Sequence, residues 1–152
     1  MVQIFTIPKA EEVSLEQYVI QINSSTTDIE IREIVCQAIQ GLTEDLIINL
    51  ATKTQYQNIV IDVIMASEHV PEPTKLTILD RINFDPILST TACETHLDNE
   101  VFLCTVFLNA WNYMPKKGTK ILQNIKEKIK IQTKKSIMAI TNYDPKIMRI
   151  LR

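Results

Sequence analysis

The sequence predicts an all-α protein, either an irregular helical bundle or a short armadillo/HEAT-like stack of about eight helices. Three observations carry this expectation. Apolar residues recur at helical spacing through most of the 152 residues. Helix-capping chemistry opens several of these segments. Glycine is confined to Gly41 and Gly118, so tight β-hairpins and phosphate-cradling loops lack the residue they depend on.

In chain order, Val2–Ile7 alternates loosely and ends at Pro8, which predicts a short strand or extended arm. Ser14 with Gln17 forms a capping-box pattern for a helix over Leu15–Asn23, and Thr27 with Glu30 forms a second. The second helix carries Ile31, Ile34, Val35, Ala38 and Ile39 on one face and closes at Gly41. Thr43 is expected to cap Glu44–Ala51, with two acids in the first turn. The segment Gln55–His69 has β-branched residues but the length of a helix, and Thr74–Asn83 follows it. Phe84-Asp85-Pro86 then supplies an N-cap with Pro at the first helical position. The same order returns in Tyr143-Asp144-Pro145, which raises a degenerate helical repeat against coincidence of capping chemistry.

The most apolar stretch, Leu97–Met114, is expected to be the central helix, capped by Asp98 and stopped by Pro115. Asp98, Thr105, Asn109 and Asn112 form its polar stripe, and Phe107 with Trp111 falls on its apolar side. Met114–Gly118 reads as a turn, and Thr119–Thr141 as one long helix. The last segment, Pro145–Arg152, stops inside an amphipathic pattern of Ile147, Ile150 and Leu151. Two readings follow: a fragment of a longer helical-repeat protein, or an end that packs on a partner.

A chain of this length is expected to form a single α-helical domain, 1–152, with a core that needs no covalent staples. Cys36, Cys93 and Cys104 are an odd, sparse set, as free thiols in a reducing compartment would be. The N-terminal residues carry no basic leader, and no stretch reaches the roughly 18 apolar residues of a membrane span. The expectation is therefore an intracellular protein, cytoplasmic or nuclear, with no membrane contact. The sequon Asn23-Ser24-Ser25 is then expected to stay unmodified. Net charge is −2, yet residues 1–75 hold eleven acids and four bases, whereas residues 76–152 hold seven acids and twelve bases. Halves at −7 and +5 point to internal docking or a charged partner.

The most legible surface lies on Thr119–Thr141. On a continuous helix, Leu122, Ile125, Ile129 and Ile140 form a core seam. Lys120, Lys126, Lys128, Lys130, Lys134 and Lys135 fall on the opposite face, with Ile131 and Met138 among them. A solvated face with two stray apolar residues is the bland reading. The sharper reading is a docking strip for an acidic partner segment, anchored by Ile131 and Met138 and steered by Lys120, Lys126, Lys130 and Lys134. The third is non-specific nucleic-acid binding through the same lysines. No arginine or aromatic residue interleaves them there, which speaks against base readout.

Other constellations are weaker. Cys93, His96 and Cys104 offer three zinc-competent side chains where a closed structural site wants four. Cys93 beside His96 could make a thiolate nucleophile, but no orienting third group accompanies them. Asp62, Glu68 and Glu72 near His69 read as a solvated loop around Pro71 and Pro73. The expectation is a protein–protein interaction module, an adaptor or assembly subunit, not an enzyme, with no cofactor and no metal. A nucleic-acid-binding helical domain is the alternative. The sequence leaves the oligomeric state open.

Overall fold

A computed structural model describes residues 10–152, with side chains described from residue 15 onward. The expected strand at Val2–Ile7 lies outside the described residues. The described chain is all-helical, with ten helices and no strand. These are α1 (Ala10–Asn23), α2 (Asp28–Gly41), α3 (Glu44–Lys53), α4 (Gln57–Ala66) and α5 (Glu72–Arg81). After them come α6 (Pro86–Glu94), α7 (Glu100–Tyr113), α8 (Pro115–Ile125), α9 (Ile131–Ile140) and α10 (Pro145–Leu151). The chain divides into two compact units, one reaching Ile78 and the other running from Leu79 to Arg152.

In the first unit α1 packs on α2 and α3, and α4 packs on α2 and α3. Its core holds Ile22, Ile31, Val35, Leu50, Val60 and Ile64, all essentially solvent-free. Thr27 caps α2 by accepting from the Glu30 amide at 3.2 Å, as its capping box predicts. Thr43 is the N-cap residue of α3 but makes no side-chain cap bond. Helix α1 begins at Ala10, so Ser14 lies inside it and not at its cap. The apolar, β-branched segment Asn58–Met65 is helical, because burial of Ile59, Val60, Ile61 and Ile64 outweighs its strand propensity.

In the second unit α6 packs on α7 and α8, α7 on α8 and α9, and α10 on α8 and α9. Three polar links join α6 and its leading corner to α8 and the residues just after it. The Lys117 ammonium donates to the Asn83 carbonyl at 2.7 Å. The Asn124 amide donates to Thr90 Oγ1 at 3.1 Å. Lys128 pairs with Glu94. Each link spans 34 residues. A constant separation means that α6 and α8 run in the same direction, with α7 returning between them.

Helix α7 carries the expected apolar core, with Phe102, Leu103, Val106, Phe107 and Ala110 buried. Asp98 does not cap it. Asn99 does, accepting from the Phe102 amide at 3.0 Å, while Asp98 reaches Lys130 at 2.9 Å. Met114–Gly118 is not a loop: Pro115 is the first residue of α8 and Gly118 is buried within it. A Cβ on Gly118 would sit 2.8 Å from Trp111 Cα and 2.9 Å from Trp111 N. Gly118 is therefore where the α7 and α8 backbones touch.

The expected helix Thr119–Thr141 is two helices. Helix α8 ends at Ile125, a turn follows, and Lys130 in extended conformation precedes α9. No Gly or Pro marks the break. It lets Ile125 and Ile129 both reach the core and turns Thr133 and Ile137 inward on α9. Ile140, placed in the seam by a continuous helix, is instead 39% exposed.

Two stability tests follow. Gly118→Ala should lower stability by about 1–3 kcal/mol despite Ala's better helix propensity, because backbone atoms must yield to the new methyl. Gly41→Ala, with open space around it and no positive φ, should be neutral or stabilise by up to about 1 kcal/mol. Equal effects in urea melts would contradict the close approach. Asn99→Ala should lose about 1 kcal/mol of helix-cap stabilisation. Asp98→Ala, at an exposed ion pair, should stay within about 0.5 kcal/mol of wild type in the same melts.

Candidate interaction surface

The six residues singled out from the sequence do not share one helix face. Lys120 is exposed on α8, and Lys126 is half-buried at its C-cap. Lys130 is the N-cap residue of α9 and is tied to Asp98. Ile131, Lys134 and Met138 remain together on α9, at the i, i+3, i+7 spacing of a single stripe. Ile131 is 72% exposed, and Lys134 and Met138 are half-buried. The anchor positions survive as a stripe, but the lysines are spread over two helices and their connection.

The fold adds cations that helical spacing alone could not assign. A cleft of about 500 Å³ between α8 and α10 is lined by Thr119, Gln123, Lys126, Lys146, Arg149 and Ile150. A second cleft, about 370 Å³, lies along α10 and is lined by Tyr143, Pro145, Met148, Arg149 and Arg152. Arg149 is common to both. Among the described residues none of Lys126, Lys146 and Arg149 is paired with a carboxylate.

The two aromatic-Asp-Pro corners have the same geometry. Asn83 and Phe84 have φ of 56° and 50°, and Asn142 and Tyr143 have 53° and 55°. The Phe84 amide donates to the Leu79 carbonyl and the Tyr143 amide to the Met138 carbonyl, a helix-ending bond of the Schellman type. Asp85 then accepts from the Ile87 and Leu88 amides, and Asp144 from those of Lys146 and Ile147. The match extends along the flanking helices. Residues 72–81 and 131–140, displaced by 59 positions, both form ten-residue helices. Thr74, Lys75, Ile78, Asn83, Asp85 and Pro86 recur as Thr133, Lys134, Ile137, Asn142, Asp144 and Pro145.

Against that shared framework the surfaces differ. Glu72, Arg81 and Thr91 become Ile131, Ile140 and Ile150, while Ile87, Thr90 and Cys93 become Lys146, Arg149 and Arg152. Phe84 is 3% exposed, and the Tyr113 hydroxyl and Lys117 ammonium both donate to the preceding Asn83. Tyr143 is 62% exposed. The exposed isoleucines on α9 are therefore not demanded by the local fold, since polar residues occupy the same positions on α5.

The cysteine constellation has a different character. Cys93 is buried, and its thiol is pushed up to about 12 by burial and by Glu94. Burial and Glu100 likewise raise Cys104. Both are held as neutral thiols at pH 7. His96 stacks on Phe102 at 4.2 Å, and its Nδ1 lies 2.8 Å from the Thr95 hydroxyl and from the Ala92 carbonyl. Among the described residues no three His, Cys, Asp or Glu side chains gather as a metal site. No described helix is long and apolar enough to cross a membrane.

In the first unit, a mainly apolar groove of about 450 Å³ lies between α2 and α4, lined in part by Cys36, Ile39, Val63 and Ala66. The Arg32–Asp62 ion pair, at 2.7 Å, lies along it. Lys75 is 5% exposed, and burial draws its ammonium below the usual lysine range against the pull of Glu72 and Glu68.

No protein-family model matches the chain, and no curated protein or solved structure shows significant similarity to it.

Thiol chemistry offers a direct check on these environments. In native protein an aromatic disulfide reagent should react promptly with exposed Cys36, slowly with Cys104, and with Cys93 only on unfolding. Prompt modification of Cys93 in the folded state would contradict its buried, neutral setting.

Proposed function

We propose that this chain is an intracellular protein-interaction module, built as a short stack of helix pairs in the armadillo/HEAT style. It would serve as an adaptor or assembly subunit without chemistry of its own. The stacking reading is supported by the packing of α6 on α7 and α8, of α7 on α8 and α9 and of α10 on α8 and α9, and by the parallel run of α6 and α8. Its partner is an acidic segment. Ile131 and Met138 anchor that segment on α9, while Lys134 and the α8 cations Lys120 and Lys126 attract it. One observation carries the reading. Ile131 is 72% exposed in the stripe with Lys134, at the place where the related helix α5 carries Glu72. An exposed apolar side chain that the fold does not require, flanked by cations, has the makeup of an interface anchor.

The second reading, a nucleic-acid-binding domain, is favoured by Arg149, Arg152 and Tyr143, which line the α10 cleft and supply guanidinium and aromatic groups. The two part on one experiment. Affinity capture with mass spectrometry compares wild type, Ile131→Ser and Lys126→Glu/Lys134→Glu. Under the interaction reading both variants lose the same proteins, and capture weakens only modestly with salt. Under the nucleic-acid reading Ile131→Ser leaves affinity nearly unchanged. Affinity then falls log-linearly with salt, with a slope of about −0.9 per duplex phosphate neutralised. If neither variant changes any captured protein or nucleic acid, the α9 stripe is a solvated face and the proposal fails.

A further inference from the structure

The chain contains a surface complementary to the α9–α10 pair. Helices α1 and α2 lie either side of the 24–27 connection, with Ile20 64% and Ile29 70% exposed close to it. Glu16, Asp28, Glu30 and Glu33 are exposed on the same two helices. The one base of α2, Arg32, is already paired with Asp62. The first helix pair is thus acidic with exposed isoleucines. The last is basic through Lys134, Lys135, Lys146 and Arg149, with Ile131, Ile140 and Tyr143 exposed on it.

The first corner shows how such a pair is covered. Asn83 receives a hydroxyl and an ammonium from the end of α7 and the start of α8, and α6 is then packed by α8 through Asn124–Thr90 and Lys128–Glu94. There the turn that follows the covering helix brings a cation, Lys128, to an acid on α6, Glu94. On α10 the position aligned with Thr90 is Arg149, and Lys146 and Arg152 stand three residues to either side of it. A helix covering α10 at that place meets cations, which the carboxylates of α1 and α2 would complement.

We propose that the α9–α10 pair of one molecule binds the acidic α1–α2 pair of a second copy, joining molecules head to tail. This rests on the reading of the α9 stripe as a docking site for an acidic segment, extends that site onto α10 and names its partner. The joined surfaces differ, so the contact is heterologous: the pair keeps one free surface of each kind, and association continues past the dimer unless the rotation closes a ring. Paired charges at the rim make it sensitive to salt.

Sedimentation velocity over a concentration series tests this on the intact chain. Wild type should grow beyond a dimer with concentration and return to monomer at high ionic strength. Tyr143→Asn/Lys146→Ala/Arg149→Ala removes the basic surface while keeping a residue that tolerates the left-handed conformation. Ile29→Ser/Glu30→Ala/Glu33→Ala removes the acidic one. Each triple variant should melt like wild type by circular dichroism and associate about tenfold or more weakly. Mixed in equal amounts, they should form a one-to-one dimer and nothing larger, because only one intact contact is left. A wild type that stays monomeric throughout, a closed dimer that survives both variants, or a mixture that stays monomeric would overturn the proposal. Titration of an acidic amphipathic helical peptide separates the two levels of argument. If the peptide binds a monomeric wild type and is lost in Ile131→Ser, self-association fails and the interaction function stands. If the peptide does not bind either, both fail.

Discussion

The contact between the α7 and α8 backbones at Gly118 is the constraint on which the second unit depends. With no side chain there, the start of α8 lies directly against Trp111, closer than any Cβ would permit. That approach places Lys117 within reach of Asn83 and carries α8 along α6 far enough for Asn124 and Lys128 to find Thr90 and Glu94. Ile121, Leu122 and Ile125 enter the core in the same movement. Helix α10 in turn packs on α8, so the seating of the candidate basic surface goes back to one missing methyl group.

The two Asn-aromatic-Asp-Pro corners show one local solution in two settings. Two consecutive left-handed residues end a helix, and an Asp immediately caps the next, in both places. Holding an aromatic residue in that conformation costs on the order of 1–3 kcal/mol, so the surrounding bonds must impose it. With the backbone held constant, the two corners differ in their side chains. Phe84 sits in the interior beside a corner bonded by Tyr113 and Lys117, while Tyr143 faces solvent among arginine and methionine side chains. Isoleucines stand on α9 and α10 where α5 and α6 carry acidic, basic or hydroxyl groups. Ile131 at 72% and Ile140 at 39% exposure gain little from burial, so the interior does not account for them.

Much of this architecture was legible because it is local. The Asp85-Pro86 and Asp144-Pro145 helix starts, the Thr27 cap and the apolar length of Val101–Trp111 all depend on residues within a few positions of one another. Competing local signals were harder to separate. Asp98 and Asn99 are both good caps, and the choice fell to Asn99 while Asp98 is held by Lys130, a residue remote in sequence. The stripe of Ile131, Lys134 and Met138 was visible from spacing because it fits inside one short helix. The remaining lysines were assigned to the same face only by assuming that the helix ran unbroken.

What the sequence determined by itself is the helical class, the starts of α2, α3, α6 and α10 and the presence of an apolar pair among lysines, since capping bonds and 3.6-residue periodicity act over one or two turns. Only the tertiary structure decided that the chain breaks between Ile125 and Ile131, that Gly118 is a contact point and not a turn, and that Arg149 joins Lys126 and Lys146 at one cleft. These outcomes have one physical cause. Each depends on which distant backbone or side chain a residue meets, and the burial gained by Ile129 and Ile137 can outweigh the modest local preference of a lysine-rich segment to remain a single helix.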